Sequence, residues 1–146
     1  MRAFRFRLDR VLKLREAELN TEQAKAEALL AEHARMQQER DGLELSLQQA
    51  VAEVRAKQFL HPSELVSLER YNGQVQRERK QWDARLAEHM KTIEQQKARA
   101  VEAKMRVRML EKLREKRQGE WQADADRELD ELTADFSAAQ WVRLRA

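Results

Sequence analysis

The sequence predicts an all-α protein, a long antiparallel two-helix coiled-coil hairpin with an overhanging C-terminal helical segment. Three observations predict it. Of 146 residues, 38% are charged while only three are glycine and one is proline, so the turns that a globule needs are nearly absent. Apolar residues recur alternately every four and three positions, the rhythm of a coiled-coil seam. A single interruption, QFLHPSE at 58–64, cuts that rhythm into two arms of one coiled-coil domain spanning 1–146.

The first arm, a helix over about 5–57, carries its seam at Leu8, Leu12, Arg15, Leu19, Glu22, Ala26, Leu29, His33, Met36, Arg40, Leu43, Leu47, Ala50 and Val54. The turn falls at about 58–62. Pro62 cannot sit inside a helix, biases His61 away from the α region and suits a first helical turn, where Glu64 is favourable to the dipole. The second arm, a helix over about 63–140, has its seam at Leu65, Leu68, Asn72, Val75, Arg79, Trp82, Leu86, His89, Ile93, Gln96, Ala100, Ala103, Val107 and Leu110. A short connection makes successive helices antiparallel neighbours. Folding back at about residue 61 sets Leu12 against Leu110, Leu29 against Ile93, Met36 against Leu86, Leu47 against Val75 and Val54 against Leu68, a register consistent along the whole hairpin.

Each arm of roughly 50 residues would run about 80 Å at 1.5 Å per residue. Residue 5 would face residue 117, so everything after Gly119 should project beyond the first helix. That overhang keeps apolar residues at Trp121, Ala125, Leu129, Leu132, Phe136 and Trp141 without a partner in the chain.

Composition narrows the function. The 29 Lys and Arg nearly balance 26 Asp and Glu, so the sequence pI of about 9.4 reflects a small excess rather than a nucleic-acid-binding surface, and no nucleic-acid partner is expected. Cysteine is absent, which excludes thiol chemistry and fits a reducing compartment. No apolar run approaches the roughly 18 residues of a membrane span, so no direct membrane insertion is expected. The arginine-rich start has the look of a transit peptide, but Asp9, Glu16 and Glu18 interrupt it and its apolar spacing runs on into the first arm; it is read as mature structure.

A two-helix hairpin offers little concavity for catalysis, the glycines are isolated, and no nucleophile signature appears; the chain is expected to be no enzyme, with no catalytic residue, cofactor or metal. His33 and His89 fall opposite each other, but two ligands are too few for zinc, with Glu32 and Glu88 off the seam, and a polar, partly hydrated layer that pins register is the expectation. Arg40 facing Trp82 reads either as a cation on a ring or as an aliphatic stem covering the indole. Asn72 and Gly73 suggest a small helix irregularity, and Gly119 a local weakening where the overhang starts.

The open end of the hairpin is richer. Residues 1–16 carry six basic and two acidic groups, and residues 104–117 carry seven basic and two acidic; next to them, 120–135 has seven acidic groups and one arginine. Charge runs on long helices are usually solvated faces. Here they coincide with Phe4, Phe6, Trp121, Phe136 and Trp141, and aromatic anchors ringed by charge describe a docking surface. The candidate partner-binding residues are Phe4, Arg5, Phe6, Arg7, Leu8, Arg10, Val11, Arg15, Arg114, Arg117 and Trp121.

The start Phe4-Arg5-Phe6-Arg7-Leu8-Asp9-Arg10-Val11-Leu12-Lys13-Leu14-Arg15 resembles the opening of the flagellar export protein family FliJ, in which an F-x-F-x-L-x-x-V-L-x-x-R pattern leads into a long coiled coil. The length, the mid-chain break, and the stretch Leu110-Glu111-Lys112-Leu113-Arg114 before an acidic tail are similar too. The resemblance implies a coiled coil like the central stalk of rotary ATP synthases, placed in the hole of the hexameric flagellar export ATPase and promoting its ring assembly and activity. It further implies contacts with the export-gate membrane protein and with export chaperones, and a cytoplasmic location peripheral to the inner membrane at the export apparatus. The related stalk proteins of virulence-type secretion share this architecture. The alternative from another class is a structural coiled-coil adaptor, of another type III secretion system or a general helix-pairing protein, with the overhang pairing to another helix.

Overall fold

The computed structural model describes residues 2–146 and is all-α, with α1 spanning Asp9–Ala56 and α2 spanning Pro62–Arg145. Among the described residues there is no strand, and no helix is long and apolar enough to cross a membrane. The chain divides into two compact units: Thr21–Val101, and the N-terminal stretch through Asn20 together with Glu102–Ala146. In each unit α1 and α2 run antiparallel.

In the unit Thr21–Val101 the two helices are joined at 57–61. Lys57 N–H donates to the Val54 carbonyl (3.3 Å), tightening the last turn of α1. Pro62 is the first residue of α2, where its missing N–H costs no helical bond. The His61 ring caps that end: its Nδ1 accepts from the Ser63 N–H (3.3 Å), and the His61 carbonyl accepts from the Glu64 N–H (2.9 Å). Lys57 closes the turn with an ion pair to Glu64 at 3.0 Å.

Val75, Leu86 and Ile93 form the buried seam of this unit, with Ile93 fully enclosed. Burying an isoleucine side chain contributes about 1.5–3 kcal/mol, so these layers carry much of the pairing. His33 stacks on His89 with ring centroids 5.5 Å apart and planes 10° apart, and Gln96 donates to the Glu22 carbonyl at 3.1 Å and to its carboxylate. Arg79 pairs with Glu44 at 3.0 Å and Arg40 with Asp83 at 2.8 Å. The His33–His89, Arg79–Glu44 and Arg40–Asp83 pairs join residues that the fold-back register sets opposite or one residue away, while Gln96, which faces Ala26, reaches one turn along α1 to Glu22.

Three details differ from the sequence reading. Near the turn α2 enters the seam one residue early: Tyr71 and Glu64 are half-buried while Leu65 and Asn72 are exposed. The ring takes the inner place, and the Asn72 amide accepts from Gln76 outside (3.4 Å). Arg40 is drawn to the Asp83 carboxylate instead of Trp82, and the cation lying over Trp82 is Arg85, 5.1 Å from the ring centroid and one turn along the same helix. The backbone is regular α-helix through Asn72, Gly73 and Gly119, with no glycine at positive φ.

In the other unit Leu12, Ala103 and Val107 are buried and Leu110 half-buried. The expected start of the first helix at about residue 5 is not what forms. Residues 2–6 are non-helical, a turn covers 7–8, and helix begins at Asp9, whose N–H donates to the Phe6 carbonyl at 3.2 Å. An extended strand advances about 3.3 Å per residue against 1.5 Å for a helix, so the segment reaches further along α2. Cover consequently extends past Gly119 to Trp121, which is half-buried, and to Ala125, which is buried. The uncovered part of α2 begins at Asp126, and the helix runs to Arg145, not to about 140.

Candidate functional site

An aromatic contact and a hydrogen bond to Trp121 anchor the extended N-terminal segment. The Phe4 ring packs on Trp121 with centroids 6.0 Å apart and planes tilted by 50°, and Trp121 Nε1–H donates to the Arg2 carbonyl at 3.2 Å. Burial then alternates: Phe4 and Phe6 are half-buried, Arg5 and Arg7 exposed. This is the two-residue period of extended chain, which turns both rings to α2 and both guanidinium groups to solvent.

Two clefts flank the segment. One, of about 780 Å³, is lined by Phe4, Arg5, Phe6, Arg7, Leu8, Leu113, Arg117, Glu120, Trp121 and Asp124. The second, of about 430 Å³, is lined by Phe4, Arg5, Phe6, Arg7, Asp9, Arg10 and Arg114. Nine of the eleven candidate residues thus meet around one aromatic floor. Val11 and Arg15 do not line it: Val11 is exposed on the first turns of α1, and Arg15 is engaged with Glu18 on its own helix at 2.8 Å. Leu113, Glu120 and Asp124 belong to the site and escaped the sequence reading. Leu113 lies one turn from the Leu110 seam position, and the two acids lie one residue before and three after Trp121, on the same side of α2.

Electrostatically the site is split. Arg5, Arg7, Arg10 and Arg114 rim it with exposed cations, while Glu120 draws Arg117 toward itself at 3.5 Å and Asp124 draws Arg127 at 3.7 Å. Exposed pairs of this kind contribute little to stability, about 0–1 kcal/mol. The guanidinium groups remain free to reorient onto a partner's carboxylates, for which their planar donor fork is suited. No group of three or more His, Cys, Asp or Glu side chains able to hold a metal occurs among the described residues. The His33–His89 pair, in the other unit, has Nδ1 atoms 3.3 Å apart, with Glu32 engaged by Arg35 (2.7 Å) and Glu88 by Lys91 (3.1 Å).

The arrangement suits binding: aromatic anchors in a shallow groove, a cationic rim, and an uncovered helix leading away from it. Comparison of the chain with protein-family models, with curated proteins and with solved structures gives no match.

Proposed function

We propose that the chain is a non-enzymatic, FliJ-like stalk of a flagellar protein export apparatus. It binds the hexameric export ATPase, promotes ring assembly, and links the ring to the export-gate membrane protein and to export chaperones, on the cytoplasmic side and peripheral to the inner membrane. The observation that carries this reading is the aromatic-cationic cluster of Phe4, Phe6 and Trp121 rimmed by Arg5, Arg7, Arg10 and Arg114, built from the stretch that resembles the family. The cluster enters the ring lumen and its arginines meet acidic groups there, while the turn at Pro62 is left for the gate. A ligand that binds the oligomer in preference to free subunits shifts assembly toward the ring by mass action.

The test is ATP hydrolysis by the export ATPase from the same organism, titrated with this protein and read beside ring formation. Stimulation saturating near one copy per hexamer is expected. Replacing Arg5, Arg7 and Arg10 together by Glu should abolish it with helicity unchanged; undiminished stimulation by that variant removes the proposed contact.

A second reading, a coiled-coil adaptor of another type III secretion system or of a different assembly, draws on the uncovered Leu129, Leu132 and Phe136. It requires equimolar complexes with a partner helix, so stoichiometry separates the two.

A further inference from the structure

Within the unit Thr21–Val101 the seam holds a pair of titratable rings. His33 is 8% exposed and His89 half-buried, and their Nδ1 atoms face each other at 3.3 Å while the ring centres are 5.5 Å apart. Buried Ile93 and half-buried Leu29 close the layer on one side, buried Leu86 and half-buried Met36 on the other. A ring that swung out to water would leave a gap between these apolar layers. Proton counting distinguishes three states of the pair. With no added proton, one ring donates from Nδ1 and the other, protonated at Nε2, accepts. One added proton goes to the free Nε2 of the donor ring, and the bond between the two Nδ1 atoms survives as a charge-assisted one. A second has only the facing Nδ1 left, so two N–H groups and two positive charges would meet at 3.3 Å. The charged side chains within one helical turn of the pair are Glu32 and Arg35 on α1 and Arg85, Glu88 and Lys91 on α2. Arg35 engages Glu32 at 2.7 Å, Lys91 engages Glu88 at 3.1 Å, and Arg85 lies over Trp82. Three bases thus stand against two acids that are already paired, so the surroundings do not offset a second positive charge.

We propose that the His33–His89 layer is an acid-sensitive latch: it holds α1 and α2 together while the pair carries at most one added proton, and a second forces the helices apart at this level. In the unfolded chain the two imidazoles are separate, and below about pH 6.5 each takes its own proton. The unfolded state then binds one proton more than the folded one, so the stability this layer allows is present above that pH and is lost as pH falls. Glu22, Glu32 and Glu64, held below their ordinary 4.5, act only in more acid solution, so the two effects separate. The proposal is independent of the export reading.

Urea unfolding of the full chain, followed by far-ultraviolet circular dichroism from about pH 7 to about pH 5, tests this. Over that range the unfolding equilibrium constant should rise at least about tenfold relative to His33→Leu/His89→Leu, which keeps His61 and every carboxylate and so cancels their contributions. His33→Gln and His89→Gln singly should each lose most of the rise, because an amide oxygen accepts from a protonated ring where a second protonated imidazole cannot. Nuclear magnetic resonance of the folded chain with nitrogen-labelled histidines should show His33 and His89 taking up about one proton between them by about pH 5, with the exposed His61 as internal comparison. A rise shared by the double Leu variant, a rise that persists in both Gln variants, or uptake of two protons by the folded pair overturns the proposal.

Discussion

At positions 33 and 89 two imidazoles stack within the seam and share one hydrogen bond, so one Nδ1 must donate and the other accept. Such a layer holds register at some cost in stability. Replacing both by Leu is expected to raise unfolding stability by about 1–2 kcal/mol, measured by urea denaturation, because apolar area would replace a half-satisfied polar contact. Three carboxylates in the same unit add a pH dependence to its stability. The Gln96 hydrogen bond, followed by Lys25 and Arg99, holds Glu22 below its ordinary value of 4.5; Arg35 lowers Glu32 and Lys57 lowers Glu64. A carboxyl whose folded pKa is depressed contributes stability that is present above its unfolded pKa and lost as pH falls through the folded value. The melting temperature should therefore change little from these three groups between pH 7 and 5 and fall below about pH 4.5, with Gln96→Leu blunting the fall. Side-chain partners at this scale were only partly legible. The His33–His89 opposition follows from register alone, but Arg40's choice of Asp83 over Trp82 depends on which flank its guanidinium reaches, and spacing does not encode that.

At the scale of elements, four-three spacing and one proline were enough to show two paired helices and the turn between them, though not their outer ends, because burial of the seam leaves few registers open. The N-terminal segment was read with the same period and therefore misread. Phe4, Phe6 and Leu8 alternate with Arg5 and Arg7, a period of two that signals extended chain, and the heptad beginning at Leu8 overshadowed it. Trp121→Ala should free this segment: trypsin should cut at Arg5 and Arg7 several-fold faster while the far-ultraviolet circular dichroism stays unchanged. The glycines permit an independent check of the helices. Gly42 and Gly119 sit in helix with open space where a Cβ would project, so Gly42→Ala and Gly119→Ala should each stabilise by about 0.5–1 kcal/mol in thermal or urea unfolding.

For the molecule as a whole, near-neutral charge conceals strong local separation, and that separation is what partners can read. Cationic side chains concentrate around the N-terminal cluster and acids on the α2 segment that follows it, so association with any acidic partner should weaken with salt mainly through the cluster arginines. Tryptophans occur at three positions only, 82, 121 and 141. Trp82 belongs to the unit Thr21–Val101 and Trp141 is exposed, while Trp121 is half-buried beneath Phe4 with its indole nitrogen engaged by the Arg2 carbonyl. A chain with Trp82 and Trp141 replaced by Phe therefore carries its own optical reporter: undocking of the N-terminal segment would expose the remaining indole and red-shift its emission, and the occupancy of the site could be followed in real time without any added dye.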